Sequence, residues 1–450
     1  MCTAAGYLAA RRARNFYLRI VAALAPVPVL TLFAADRPAL VTFALVAVFV
    51  LVLDGYVSGG RVAWLWMLIP LHVVWANSHS VFFLGWGVLA AYSIGAWRLP
   101  AERRKPLWLA AGLCMLLSGL HPNGFRILEV LPAYRESYLT STLIEWKRPF
   151  LWGPPYSYNL LLYSTAAAMT LAWRKLRLGD VLLFAAFGTA SLMAFRNMVF
   201  VAFLAPVLLV TYAWPLLVAQ LPRLPARLVA LPMLLGLAGL LVYQGSAGGL
   251  FQLRAAEWKF PQGIAEFLRR NQISDPIFNS YEYGGYLIWA LWPQQQTFID
   301  GRALNETVYK DYAKILHITG SAGPKGKALR TRLLDRYKVQ FVVTNAFEFP
   351  SGVIGPLALA LSGPSYPEWA LVYEDTQALV FARDVARNRP LIDRHRLSKS
   401  VLPDHLWKAC SATISRNPLL PNCARSLGFL SLGVGDRRGG RRALSLYLET

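Results

Sequence analysis

Residues 39 to 53 read ALVTFALVAVFVLVL, a stretch with no charge and with Thr42 as its only polar group. A helix of this composition is apolar all round, which suits hydrocarbon or the middle of a helical bundle and not a half-solvated surface. Working outward, nine such stretches precede residue 245, at about 17–35, 39–53, 62–77, 80–97, 107–120, 159–173, 179–195, 198–218 and 227–243. Each is near the length at which a tilted helix crosses about 30 Å of hydrocarbon at about 1.5 Å per residue. The count is good to one either way, because 107–120 is short enough to be re-entrant. Composition agrees: hydrophobic residues make up 56% of the chain and charged residues 16%, with a mean hydropathy of +0.39. Soluble domains sit near 45–50% apolar and about 25% charged. The 450 residues are therefore not three soluble domains. The expected fold class is a polytopic α-helical membrane protein of about nine spans, followed by a small external α/β domain and a short helical tail.

The formal charge is +22, from 46 Lys and Arg against 24 Asp and Glu. In a soluble protein that would suggest nucleic acid; here the positions of the charges give another meaning. Alternate gaps between the apolar stretches hold Arg11, Arg12, Arg14 and Arg19, then Arg61, then Arg98, Arg103, Arg104 and Lys105, then Arg174, Lys175 and Arg177, then Arg223 and Arg227, 14 in all. The intervening gaps hold six: Arg37, Arg126, Arg135, Lys147, Arg148 and Arg196. Positive flanks stay cytoplasmic, so the N-terminus is expected inside, and the 121–158 loop and everything after the last span outside. The first span with its arginine flank can serve as a signal anchor. The expected location is the bacterial inner membrane, multi-pass, with an external or periplasmic C-terminal domain.

Three regions follow: 1–245 transmembrane, 250–385 external α/β, and 386–450 a basic helical tail. In the second, the texture shifts to mixed charge with short β-branched runs between amphipathic ones. Helices are expected at 261–271, from Tyr283 to Trp292 and around 325–338, and strands at 276–280, 297–300 and 340–345. A hairpin is expected over 369–375 and 377–383 with Asp375 and Thr376 at its turn. The tail carries 13 Lys and Arg against five Asp and Glu between Arg383 and Thr450. CARSLGFLSLGVGDRRGGRRALSLYLE, residues 423–449, has the residue placement of one tetratricopeptide helix pair; a merely basic tail is the competing reading. Four cysteines make no zinc spacing. Cys410 and Cys423 would pair in an oxidising compartment; two free thiols are the alternative.

Polar side chains at membrane depth or just beyond it are costly unless paired or lining a wet cavity, which makes them functional candidates. One cluster is His72, Trp75, Asn77 and His79. A second is His121, Pro122, Asn123 and Gly124, with Glu129 and the run Glu145, Trp146, Lys147, Arg148 in the same loop. A third is Arg196 with Asn197. All three fall on the outer face under the topology above. Arginine and histidine can hold a phosphate by charge-assisted hydrogen bonds, and a carboxylate can act as general base toward a hydroxyl. Each has a structural alternative: hydrogen bonding to neighbouring helices for His72 and His79, a turn for Asn123 and Gly124, an interfacial anchor or phospholipid contact for Arg196, and a local ion pair with Lys147 or Arg148 for Glu145. In the soluble region Tyr281, Glu282, Tyr283, Asp300, Arg302 and Asn305 form a polar and aromatic set suited to sugar or peptide, against the alternative that Arg302 is only the salt partner of Asp300. No Asp-x-Asp, GxGxxG, Walker, HExxH or GxSxG motif occurs. No metal site or cofactor is identified, and a divalent metal is without support.

Taken in order, ADRPALVTFALVAVFVLVL, LIPLHVVWANSHSVFFLGWG, GLHPNGFRILEVLP, LIEWKRP, MAFRNMVFVAFLAPVL, FNSYEYGGYLIWAL, FIDGRA and WALVYEDTQALVFAR, spanning roughly residues 30–385, resemble bacterial membrane proteins grouped with the GT-C glycosyltransferases, the class that includes dolichyl-phosphate-mannose protein mannosyltransferases. The resemblance implies a polyprenyl-phosphate sugar donor, an external active site, and an external glycan, lipid or protein acceptor, with membrane lipid as surroundings and no nucleic acid. It implies that Asn77, His79, His121, Asn123, Glu145 and Arg196 line the donor site, Glu145 being the catalytic candidate. GT-C enzymes carry a long first external loop with an acidic residue; here that loop is about Ala35 to Pro38 with Asp36 its sole acid, and the chain is expected to be N-terminally truncated relative to the family. The competing function is a non-catalytic membrane anchor or scaffold presenting an external α/β domain to envelope partners. A transporter or flippase is disfavoured, since the spans show few charges and no matching halves.

Overall fold

A computed structural model describes residues 1–13, 16–33, 37–129, 144–216, 260–302, 305–318, 323–345, 352–375, 377–399, 402–416, 422–433 and 436–449, with Phe347 and isolated positions between 231 and 242. The chain forms two compact units, Met1–Phe251 and Gln252–Thr450. The 227–243 span, Asp36 and Thr376 fall outside the described residues, wholly or in part.

The first unit is helical. Three stretches among the described residues are long and apolar enough to cross a membrane: Phe16–Phe33, Ala39–Val57 and Phe195–Leu216. Helices at Ala63–Ser78, Phe83–Gly95, Ala101–Leu117, Tyr156–Leu171 and Leu178–Met193 are shorter, at 13 to 17 residues. The Met198–Tyr212 helix is central. Its sequence MVFVAFLAPVLLVTY has no polar face and it is buried nearly all round. The Cys2–Ala13, Phe16–Leu24, Ala39–Val57, Tyr156–Leu171 and Leu178–Met193 helices all pack on it. Pro206 sits inside it, as prolines do in helices whose neighbours re-satisfy the backbone. Small residues let other helices touch: a Cβ on Gly95 would lie 2.7 Å from the Gly179 nitrogen, the close approach favoured where lipid removes the hydrophobic incentive to associate.

The contacts define two ends of this bundle. At one, Arg103 donates to the Tyr56 and Gly60 carbonyls, and the Arg177 amide donates to the Tyr212 hydroxyl at 3.1 Å. Arg98, Arg104 and Arg174 lie against Trp97, Trp108 and Trp173, the aromatic and cationic dressing of a membrane interface. Arg12, which charge counting treats as a loop marker, is here no loop residue. Its side chain is 4% exposed, between Asp54 (4%) and Asp180 (3%). Nη1 and Nη2 engage both Asp180 oxygens at 2.8 and 3.0 Å, and Nη2 donates to Asp54 at 2.6 Å. Tyr212 donates to Asp180 Oδ2 at 2.7 Å. The Cys2–Ala13 helix reaches this place because Ala4, Ala5, Leu8 and Ala9 make a small, buried face.

The second unit holds a four-stranded mixed sheet in the order β1-β2-β4-β3: β1 Ile277–Asn279, β2 Phe341–Asn345, β3 Trp369–Glu374 and β4 Ala378–Arg383. β1 and β2 are parallel, and the other pairs antiparallel. Phe341 and Val343 enter a core with Val372, Val380, Leu287 and Leu268; on the opposite face Phe278 meets Phe298 and Tyr312. The expected strand at 297–300 does not form. The buried Asn279 side chain replaces its ladder, accepting from the Phe298 amide at 2.8 Å and donating to the Ile299 carbonyl at 2.8 Å. A Glu306–His317 helix, with Tyr309, Tyr312 and Ile315 inward, was not legible as an element. In the tail, helices Asn422–Gly433 and Arg437–Glu449 pack along each other, and Cys410 and Cys423 form a disulfide.

Removing one partner of a buried ion pair leaves an uncompensated charge, at a cost of about 3–5 kcal/mol. Arg12→Ala is therefore expected to lower the thermal unfolding temperature of the detergent-solubilised protein sharply, while Arg98→Ala, on the surface, costs under about 1 kcal/mol. Equal behaviour of the two variants in a thermal melt would contradict this placement.

Candidate functional site

The other end of the helical unit gathers the candidates. The Ala63–Ser78 helix stops where His79 turns extended, at φ −154° and ψ 132°. His79 Nδ1 lies 2.7 Å from the Thr42 hydroxyl, which also accepts from Trp75 Nε1 at 2.8 Å. One hydroxyl inside the apolar 39–53 run thus fixes the imidazole against the helix. Phe43 against Phe200, 5.9 Å between ring centroids, sets the start of the Ala39–Val57 helix beside that of Met198–Tyr212. Arg196 stands in the short turn that opens the latter.

A second strand of contacts ties in the 144–149 segment. The Phe195 amide donates to the Lys147 carbonyl at 2.8 Å, and the Arg196 guanidinium carbon lies 4.5 Å from the Trp146 ring centroid. The neighbouring Glu145 receives Arg37 Nη1 on both oxygens, at 3.2 and 2.9 Å. Arg37 is 63% and Glu145 39% exposed, so this pair is solvated and readily opened. The resulting set runs from Thr42 and His79 through Arg196 and Trp146 to Glu145 and Arg37.

Of the residues expected on sequence grounds, His79, Glu145 and Arg196 meet here. His121 and Asn123 make a local turn, the Asn123 amide donating to His121 Nδ1 at 3.1 Å. Asn77 ties that turn to its helix, donating to the Val73 and Leu120 carbonyls at 2.9 Å. His72 is fully buried in a box of Phe49, Trp75 and Phe82, with neither ring nitrogen hydrogen-bonded. Glu129 pairs loosely with Arg126 at 3.8 Å. Arg37 and Thr42 were missed as site residues, because an arginine before a proline reads as a helix start and a lone threonine in an apolar run reads as filler.

Asp300 and Arg302 belong to the second unit. Arg302 donates its backbone amide and Nε to Asp300 Oδ1, at 2.9 and 2.8 Å, and Nη2 to Oδ2 at 2.9 Å. Arg302 accordingly holds the Asp300 carboxyl below its ordinary value. The preceding turn presses on this segment: a Cβ on Gly284 would lie 2.1 Å from the Ile299 carbonyl oxygen, so only glycine fits. Asn305 caps the following helix by accepting from the Val308 amide at 3.1 Å. Both Asp300 oxygens are thus engaged locally. Among the described residues no group of three or more His, Cys, Asp or Glu is placed to hold a metal ion.

Comparison with known proteins gives no matching family profile and no matching curated protein. Among solved structures, the chain is similar in fold to the archaeal oligosaccharyltransferase AglB from Archaeoglobus fulgidus, in complex with an inhibitory peptide and a dolichol-phosphate, with a TM-score of 0.51 and 12% identity over 86% of this chain and 62% of that one. A second structure of the Archaeoglobus fulgidus oligosaccharyltransferase, tethered with an acceptor peptide containing the NVT sequon, matches at a TM-score of 0.46 and 11% identity, over 85% of this chain and 61% of that one. The chain spans about three fifths of the length of these proteins. AglB is a GT-C type enzyme, and the likeness is one of fold.

A carboxyl held low in the folded state adds stability above its unfolded value, lost as pH falls through the folded one. Asp300→Asn is therefore expected to destabilise the protein slightly at neutral pH, by under about 1 kcal/mol for so exposed an arginine, and to remove part of the stability loss seen on acidification. An acid unfolding profile identical to that of the unsubstituted protein would contradict the pairing.

Proposed function

We propose that this chain is an integral membrane glycosyltransferase-like protein that transfers a sugar from a polyprenyl-phosphate donor to an external acceptor, whether glycan, lipid or protein. The observation that carries the reading is the meeting of Arg37, Glu145, Arg196 and His79, drawn from four separate segments, at one end of a helical unit. The likeness in fold to an oligosaccharyltransferase supports the same reaction class. The orientation follows the loop charges. Removing buried Arg12 from the 14 cytoplasmic residues leaves 13 against six, so the bias persists, and a disulfide in the tail suits an oxidising compartment outside a bacterial inner membrane.

Three cationic or hydrogen-bonding groups, Arg196, Arg37 and His79, suit the donor phosphate. The phosphate competes with Glu145 for Arg37, and the freed carboxylate becomes available as general base. The acceptor hydroxyl attacks the anomeric carbon, its proton passes to Glu145, the bond from that carbon to the phosphate oxygen breaks, and the polyprenyl phosphate leaves carrying the electron pair, held by the arginines. Asn77, His121 and Asn123 shape the wall of this donor site through the turn they share; in the second unit, taken by itself, Asp300 and Arg302 form a separate substrate-contacting pair. The alternative, a membrane anchor without catalysis, draws on the one observation that Glu145 is already engaged by Arg37.

In proteoliposomes supplied with a polyprenyl-phosphate sugar, Glu145→Gln is expected to lower kcat by about 100-fold or more, the usual worth of a general base, with the donor KM little changed. Arg196→Ala is expected chiefly to raise the donor KM, by about 10-fold or more. Full activity in both variants would exclude these residues from the site, and no transfer by the unsubstituted protein from any polyprenyl-phosphate sugar would favour the anchor.

A further inference from the structure

The second unit carries a half-open cleft of about 470 Å³ whose polar lining comes from Ser274, Gln294, Gln296, Thr297 and Tyr337. Its size falls within the roughly 300–1,000 Å³ of small-ligand sites. In a chain of formal charge +22, no Asp, Glu, Lys or Arg among the described residues lines this cleft. The charges around it are turned to each other: Asp275 pairs with Arg387 at 2.8 Å, and Asp311 accepts from Tyr337 at 2.9 Å and from Arg336 at 3.3 Å.

The loop that forms one wall is fixed from within. Gln295 is buried, and its Nε2 donates to the Asp275 and Gln296 carbonyls at 3.0 and 2.9 Å. Gln294 and Gln296 on either side are exposed. A glutamine amide offers a donor and an acceptor side by side, the pattern that matches two neighbouring hydroxyls. Beside the wall, Trp292, joined to the lining Pro293, is 66% exposed, and Trp289 one turn earlier is 78% exposed. Both belong to a segment whose Leu287 and Leu291 are buried in the core, so the tryptophans are displayed outward and not spent on folding. An exposed aromatic next to convergent amides and hydroxyls offers a flat apolar face beside hydrogen-bonding groups.

We propose that this cleft binds a neutral saccharide, its hydroxyls on the Gln296 amide and the Tyr337 and Thr297 oxygens and its apolar ring face on Trp292. A phosphate or acidic sugar gains nothing from an uncharged lining. As a statement about binding, the proposal does not rest on sugar transfer by the helical unit; taken with that reading, it makes the acceptor a glycan.

The test uses the full-length protein in nanodiscs and saturation-transfer NMR with cellotetraose and mannotetraose as neutral probes and a neutral hydrophilic peptide as control. Saturation transfer to ring protons of a tetrasaccharide is expected, with about 10-fold weaker binding in Gln296→Ala and in Trp292→Ala, and unchanged binding in Arg98→Ala. Gln296→Ala removes only an exposed side chain, so it keeps the test valid if the tryptophan variant misfolds. No binding of either tetrasaccharide up to about 10 mM, binding of the peptide alone, or full affinity in a folded Gln296→Ala protein would each overturn the proposal.

Discussion

Arg12 between Asp54 and Asp180 is the contact on which the helical unit depends. Two carboxylates set into apolar helices would cost several kcal/mol each if left unpaired, and the guanidinium answers both with three hydrogen bonds of 2.6 to 3.0 Å. Arg12 is carried in on the Cys2–Ala13 helix, Asp54 closes the Ala39–Val57 helix, and Asp180 opens Leu178–Met193, where the helix N-terminus favours a negative charge. Tyr212 adds the end of the central helix. Four segments are thereby held at one end in a single arrangement.

That arrangement has a consequence at the opposite end. Two of the helices pinned by the ion cluster, Ala39–Val57 and the one ending in Tyr212, supply Thr42 and follow Arg196 at their far ends. Because a helix is stiff over this length, fixing one end fixes the spacing of the other, so His79 on Thr42 and Arg196 on Trp146 meet reproducibly. The charges are partitioned accordingly. Compensated, dry charge serves architecture at one end, while half-exposed Arg37, Glu145 and Arg196 at the other can exchange partners with a ligand, as an ion pair in high dielectric does at little cost.

Much of the fold was legible because the hydrophobic pattern is strong. The uncharged 39–53 run, the β-branched run FVVTN and the hairpin at 369–383 each carry their signal in plain view, and the structure gives helix, strand and hairpin there. What escaped depended on single polar side chains acting at a distance. Arg12 was counted by charge, whereas its partners are 42 and 168 residues away. The 297–300 segment has strand composition, yet a buried asparagine took its backbone bonds. At the site, the residue types at His79, Glu145 and Arg196 suggested chemistry, but nothing local announced that Arg37 would reach Glu145 across 108 residues or that Thr42 would hold His79. Asn77, His121 and Asn123 read as site residues, and their recorded bonds are mainly those of a turn.

Under the proposed function, the end of the bundle bearing Arg37, Glu145 and Arg196 receives a lipid phosphate. Photo-crosslinking with a polyprenyl-phosphate analogue carrying its reactive group beside the phosphate, followed by peptide mapping of the protein in nanodiscs, tests it most directly. Adducts are expected on the peptides containing His79, Trp146 and Arg196, suppressed by excess unmodified polyprenyl phosphate. Adducts confined to lipid-exposed helix faces, or to the end that holds Arg12, would contradict it.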